Sequence, residues 1–260
     1  MSALTDSFGY YGRRGQLEPS QWAARAFDRL VTFVIVLVLV FAGAVSGYSL
    51  WDAFNLANGG TKLNKPTDAE SFAQLRAINP DVIAWLTVDN TGIDYAVVQG
   101  KDNFEYLNKD AAGQYSSSGS LFLDKDCDPE FREPYEVIMG HHMQYSKMFG
   151  DLDKFLDKDF FDQNKTATLM LPDRTLQLEV VSILKADAYD ATIFGMPVKD
   201  PPISSVTDYI DQNAIHRREG EYSADDQLVA LSTCASSGVN TRTVLMCKVV
   251  GETPANDATS

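Results

Sequence analysis

The chain has 260 residues, 45% of them hydrophobic and 11% aromatic, with a formal net charge of −14. That apolar content excludes global disorder and suffices for one well-cored domain with appendages. The first 51 residues hold four basic and three acidic side chains, which leaves 18 and 33 for residues 52–260, a net of −15; nucleic acid and anionic membrane surfaces are excluded as electrostatic partners of that part.

In chain order, the first feature is a run from Leu30 to Trp51 without a charged residue. At about 1.5 Å per residue this is roughly 33 Å of helix, enough to cross a hydrocarbon core. Arg13, Arg14, Arg25 and Arg29 precede the run, and no Lys or Arg follows until Lys62. The positive-inside rule therefore predicts a cytoplasmic segment over 1–29, a single-pass transmembrane signal anchor over 30–51 and an extracellular remainder. Ala42-Gly43-Ala44 resembles a signal-peptide cleavage site, but the long leader and the long apolar run favour a retained anchor in the cell membrane. Residues 52–66 read as a polar linker, 67–250 as the folded domain and 251–260 as a flexible tail.

Within the domain, Thr67-Asp-Ala-Glu70 has the pattern of a capping box ahead of Phe72, Leu75 and Ile78 at helical spacing, and Asn79-Pro80 ends that helix. VIAWLTV (82–88) and IDYAVVQ (93–99) flank the turn DNTG and predict a hairpin. GSLFLD (119–124), YEVIMGHH (135–142), TATLMLP (166–172) and TLQLEVVSILKADAY (175–189) read as further strands. A helix is expected where Met148, Leu152, Phe155 and Leu156 share one face, and another over 204–216. QLVALSTC and TRTVLMCKVV close the domain as an apolar strand pair. About eight strands, a few helices and no βαβ alternation predict a mainly β fold, a closed or nearly closed barrel with decorating helices.

Cys127, Cys234 and Cys247 are an odd number, with no CxxC and no Cys/His metal spacing. Cys127 and Cys247 lie where buried structural thiols are expected. Cys234 differs, because an apolar strand delivers it into the small-residue loop ASSGVNT, which leads to Arg242. A cysteine nucleophile needs a proton-transfer partner and a group to hold an oxyanion. The chain has three histidines, His141, His142 and His216. His141 and His142 follow Gly140 at the end of a strand, and two strand ends on one barrel rim would bring His141 to Cys234. Asp124 to Glu130 starts like a calcium loop, but Pro129 stands at its sixth position and Tyr135 at its twelfth, so it reads as a solvated acidic loop.

LSTC with a short loop and an arginine resembles the signature of sortases, the cysteine transpeptidases of Gram-positive cell surfaces. NPDVIAWLTVDNTGIDYAVVQGKDNFEYLN (79–108), SSSGSLFLD (116–124), VIMGHHMQYSKMFGDLDKF (137–155) and AIHRREGEYSADDQLVALSTC (214–234) resemble class B sortases in order and spacing. The resemblance implies an eight-stranded sortase barrel, with Cys234 as nucleophile, His141 as catalytic histidine and Arg242 as catalytic arginine. His142 is read as supporting only. Ser232, Leu107 and Asn103 fall where class B enzymes contact the sorting peptide. The chain departs from the family pattern at Ala96, at Met139 and in lacking an aromatic just after Cys234.

The implied activity is that of a thiol peptidase acting as a transpeptidase. Cys234 would attack a threonine carbonyl within the C-terminal sorting signal of a secreted protein, form a thioester, and pass the acyl group to an amine of the cell-wall precursor or to a pilin lysine. No metal or organic cofactor is implied. Papain-type proteases place Cys before His, and L,D-transpeptidases place His close before Cys; neither order is found here. The non-enzymatic alternative is a tethered adhesin or binding domain with an inert Cys234.

Overall fold

The structure, a computed structural model, describes residues 19–58, 63–195, 203–220, 222–234 and 240–255. Most of the expected cytoplasmic segment, positions 59–62 of the linker, the loop 235–239 and the end of the tail lie outside the described residues. The chain divides into two compact units, Met1–Phe54 and Asn55–Ser260.

The first unit is built on helix α1 (Pro19–Asn58), in which Trp22–Trp51 contains an 18-residue stretch of mean hydropathy 2.7 and is long and apolar enough to cross a membrane. Two of its hydroxyls bond inside the helix, Thr32 Oγ1 to the Asp28 carbonyl and Ser49 Oγ to the Val45 carbonyl, which pairs these donors within the helix itself. The helix carries on through Asn58, so residues 52–58 of the expected linker are helical.

The second unit opens with α2 (Ala69–Ile78). Its N-cap is Asp68, paired reciprocally with Ser71, so the capping box sits one residue later than the sequence pattern suggested. Asp68 has the shorter, charged acceptor and wins the cap from Thr67. Strands β1 (Val82–Val88), β2 (Asp94–Val98), β3 (Leu121–Leu123) and β4 (Tyr135–Gly140) follow. After β4 come the two-residue strands β5 (His142–Met143) and β6 (Lys147–Met148), then a 3-10 segment, Gly150–Leu156. The helix expected around Leu152 and Phe155 is this tighter segment, and Met148 belongs to β6 instead. Short α3 (Lys158–Gln163), β7 (Thr166–Met170), β8 (Arg174–Asp187), α4 (Ala191–Phe194), α5 (Ile203–Asn213), β9 (Ala214–Arg217), β10 (Leu228–Cys234) and β11 (Thr241–Pro254) complete the unit. Residues 251–254, expected in the tail, extend β11 and pair with β8 as far as Arg174.

The sheet order is β11-β10-β4-β3-β2-β1-β7-β8, and β11 pairs again with β8, which closes an eight-stranded barrel; β9 adds outside this ring on β8. The β2–β3 and β4–β10 pairings are parallel and the others antiparallel. Strand alternation sends Leu86, Leu123, Ile138, Leu231 and Leu245 into one core, closed at one end by Phe149, Leu152 and Phe155, all at most 1% exposed. A second core, on the other face of β1–β3, buries Phe72 and Leu75 of α2 against Trp85 and Tyr106.

One buried charge site is unrelated to that apolar packing. Glu136 is fully buried on β4; its Oε2 accepts from the Asp128 N–H, and its Oε1 has no partner among the described residues. Burial pushes its carboxyl up to about 7. A raised carboxylate favours the protonated form when folded, so its contribution is complete below the unfolded value and is lost as pH rises through about 7. Glu136→Gln, neutral and of the same shape, is expected to exceed the wild type in stability by about 3 kcal/mol above that pH and to match it in mild acid. Tm measured from about pH 5 to about pH 9 checks this: a constant difference across the range would contradict the assignment.

Candidate active site

The placement of the candidate residues is a matter of register. β10 runs parallel to β4 with Thr233 opposite Gly140, so the next residues of the two strands are Cys234 and His141. On its other side β10 runs antiparallel to β11, with Cys234 opposite Arg242. Neighbouring strands lie about 4.8 Å apart, so His141, from far back in the chain, occupies a rim position adjacent to Cys234, which in turn adjoins Arg242. The crossover through residues 141–227 is what permits the parallel β4–β10 pair.

His141 is oriented from outside the barrel. Its Nε2 lies 2.8 Å from the carbonyl oxygen of Leu107, at the end of the 3-10 turn Glu105–Leu107. A carbonyl only accepts, so Nε2 carries the proton and Nδ1 is the nitrogen left for proton exchange. Gly119 makes this contact possible. It has φ +61, and a Cβ there would lie 2.7 Å from the Leu107 and Tyr106 carbonyls and 3.0 Å from His141 Cδ2. The neighbouring Ser120 ties the same turn down, N–H to the Tyr106 carbonyl at 3.0 Å and Oγ to the Lys109 carbonyl at 2.8 Å. Gly140, immediately before His141, leaves room for Leu121 and Phe149, whose side chains a Cβ would meet at 2.4 and 3.0 Å.

Arg242 is half-buried at the start of β11, with its guanidinium carbon 5.8 Å from the centre of the Phe194 ring at the end of α4. A cation over an aromatic face at this distance is held by the ring quadrupole without losing its charge. His142 turns to the other side of the chain from His141: its Nε2 is 2.9 Å from Asp153 Oδ2, and Asp153 Oδ1 accepts from Thr243 Oγ1 at 3.0 Å.

The three residues expected at the peptide site are differently placed. Ser232 is fully buried two residues before Cys234, and its Oγ has no hydrogen-bond partner among the described residues. Leu107 supplies the carbonyl that holds His141. Asn103 spends its amide within its own neighbourhood, Nδ2 on Asp124 Oδ2 at 2.7 Å and Oδ1 on the Lys125 N–H at 2.8 Å. In the acidic loop, Asp124 and Asp128 accept from backbone N–H groups of residues 126, 130 and 132, while the exposed Asp126 and Glu130 pair with Lys125 and Arg132.

The other two cysteines are buried free thiols. Burial pushes Cys247 up to about 12, and burial with the nearby Glu136 carboxyl pushes Cys127 up as well. Both are neutral and shielded at physiological pH. Sequence reasoning missed Gly119 and Phe194, since nothing in SSSGSLFLD or ATIFG signals contact with residues far along the chain.

Residues 86–250 match the family model described as the sortase domain. Sortase B of Listeria monocytogenes is 27% identical over 221 residues, which span 78% of this chain and 88% of that protein. Among solved structures, a Streptococcus pyogenes class B sortase involved in pilus biogenesis is 36% identical, with a TM-score of 0.63 covering 68% of this chain and 97% of that one. Clostridium perfringens sortase B is 30% identical, with a TM-score of 0.64 covering 69% and 100%.

Gly119→Ala is expected to cost more than the about 1–2 kcal/mol of its left-handed backbone, because the new Cβ must also push back the Tyr106 and Leu107 carbonyls, and the resulting shift of His141 is expected to slow thiol acylation by about 10²-fold. Comparing Tm with the rate of thiol acylation separates the two effects. Iodoacetamide on the folded protein is expected to leave Cys127 and Cys247 unmodified until denaturant is added, as read by peptide mass mapping.

Proposed function

The chain belongs to the sortase family, and on that premise we propose that it is a membrane-anchored transpeptidase in which Cys234, His141 and Arg242 carry the chemistry. The single observation behind this reading is the register of β4, β10 and β11, which sets these three residues at adjacent strand positions.

In this mechanism the Cys234 thiolate attacks the carbonyl carbon of a threonine in a C-terminal sorting signal. The C–S bond forms, the peptide C–N bond breaks, and the departing amine takes the proton from Nδ1 of the His141 imidazolium. Nε2–H stays on the Leu107 carbonyl throughout, so the ring keeps one orientation while its other nitrogen loses and regains a proton. Arg242 faces the tetrahedral oxyanion as a permanently charged donor. An acceptor amine then attacks the thioester, gives its proton to His141 and releases the thiolate, leaving a new amide. The reaction needs no cofactor, since each step is a proton or acyl transfer among these groups. Ser232, Leu107 and Asn103 are assigned to the edge of the peptide site, with Ser232 contributing an unused buried hydroxyl.

Helix α1 supplies the anchor in this reading: residues 30–51 span the membrane, the arginine-rich end is cytoplasmic and residues 67–250 act outside. The acceptor is an amine of the cell-wall precursor. A pilin lysine is the second reading, favoured by the 36% identity to the pilus-associated streptococcal sortase.

Intact mass spectrometry of the full-length protein in detergent, mixed with sorting-motif peptides of LPxTG and NPxTx type, tests the assignment. An acyl adduct on Cys234 that amines discharge faster than water is expected; Cys234→Ala abolishes it, and His141→Ala and Arg242→Ala slow it by about 10³-fold or more. Discharge by a lysine side chain in preference to other amines selects the pilus reading. A Cys234 that neither acylates nor alkylates in the folded protein overturns the enzymatic assignment and leaves a tethered binding domain.

A further inference from the structure

Behind the rim positions of His141, Cys234 and Arg242 lies a second row, made of the residue that precedes or follows each along its strand. Gly140, Thr233 and Thr243 are mutual neighbours across β4, β10 and β11, and all three are buried. Successive strand residues face opposite sides of a sheet. Thr243 faces the Gly150–Leu156 segment, where its Oγ1 donates to Asp153, while its neighbour Arg242 faces Phe194 of α4. The inner row is thus polar where it meets Asp153, and the outer row is the candidate site.

Asp153 bridges both ends of this arrangement with separate oxygens. Oδ1 takes the hydroxyl of Thr243, next to Arg242, and Oδ2 takes Nε2 of His142, next to His141. The segment carrying Asp153 is itself fixed: Leu152 and Phe155 on either side are fully buried in the barrel end, and the Phe149 N–H bonds the His141 carbonyl at 3.0 Å. Among the described residues no backbone hydrogen bond joins β4 to β11, because β10 lies between them. The carboxylate links β11 to β5, which continues the chain two residues beyond β4, by a route that does not pass through the cysteine strand.

We propose that Asp153 is a positioning residue: by holding Thr243 with one oxygen and His142 with the other, it sets the spacing of Arg242 and His141 across the end of the Cys234 strand. This deepens the transpeptidase reading and rests on it. A carboxylate serves here because one oxygen accepts from a hydroxyl while the other pairs with an imidazole N–H. The predicted consequence falls on the chemical step, since Arg242 and His141, the neighbours of the two linked residues, act on the reacting atoms and neither Asp153 nor Thr243 lies on the outer row.

Single-turnover acylation of the full-length protein at saturating peptide, normalised to reactive Cys234, is the first readout. Asp153→Ala is expected to lower the acylation rate constant about 10- to 100-fold with the half-saturating peptide concentration unchanged. Asp153→Asn, which keeps an acceptor for Thr243, recovers part of that loss. Thr243→Val and His142→Ala each slow acylation, and neither adds its full effect in the Asp153→Ala background, because the link is already cut. Additive effects, or a change in half-saturation alone, overturn the proposal.

The second readout does not depend on activity. Amide hydrogen exchange in Asp153→Ala, or in the nearly isosteric Thr243→Val where the former folds poorly, is expected to rise both in 141–149 and at the start of β11. Loosening of one segment without the other rules the link out. A wild type that acylates normally while the variants keep its rate defeats the positioning role alone, whereas a wild type that never acylates defeats the transpeptidase reading and leaves hydrogen exchange to decide the link.

Discussion

The pairing of β11 with both β10 and β8 is the constraint on which the rest depends. β11 is the last strand in sequence, and it meets β8 along a register running from Thr241 opposite Asp187 to Pro254 opposite Arg174. Without that seam the sheet is open, with β8 and β11 as long exposed edges. Register shifts between Met246 and Cys247 and between Val249 and Gly251 bend the strand, which closure of an eight-stranded ring requires. Closure also locks β10 between β4 and β11, and thereby sets Cys234 between His141 and Arg242.

The site is consequently built from strand ends whose spacing the barrel dictates, and from side supports that adjust orientation. The Glu105–Leu107 turn holds His141 through a carbonyl, Gly119 lets that turn approach, and Phe194 lies against Arg242. These supports come from two connections, the one between β2 and β3 and the one after β8, so the scaffold supplies position while the loops supply direction. A one-residue slip of β10 would exchange the inner and outer rows and remove Cys234 from its place between His141 and Arg242.

Buried polar groups divide into two kinds. Arg218 bonds the carbonyls of Val180 and Phe161 while stacking over the Phe161 ring, and Asp151 accepts from the Gly92 N–H and from Lys154; both are satisfied and stiffen loop junctions. Glu136 and Ser232, each with an oxygen lacking a partner among the described residues, are not. Glu136 meets its burial by favouring the neutral acid, a cost confined to higher pH. Ser232, two residues before Cys234, keeps its buried hydroxyl without a partner among the described residues.

The sequence by itself determined the parts with local physical signatures. Period-two alternation marked the strands, the uncharged run marked the long apolar helix, and a cysteine leaving an apolar strand for a small-residue loop with a following arginine marked the candidate site. The strand count suggested a closed or nearly closed barrel and two strand ends suggested His141 near Cys234, and the resemblance to class B sortases added the eight-stranded form and the role expected of Arg242. Only the tertiary structure decided what depends on contacts between distant segments: the seam between β8 and β11, the carbonyl of Leu107 on His141, the need for glycine at 119, the engagement of Asn103 with Asp124, and the two-sided bond of Asp153. Local sequence could not resolve the capping of α2 by Asp68 rather than Thr67, or the 3-10 rather than α form of Gly150–Leu156, because near-equal local preferences are settled by what the rest of the fold packs against them.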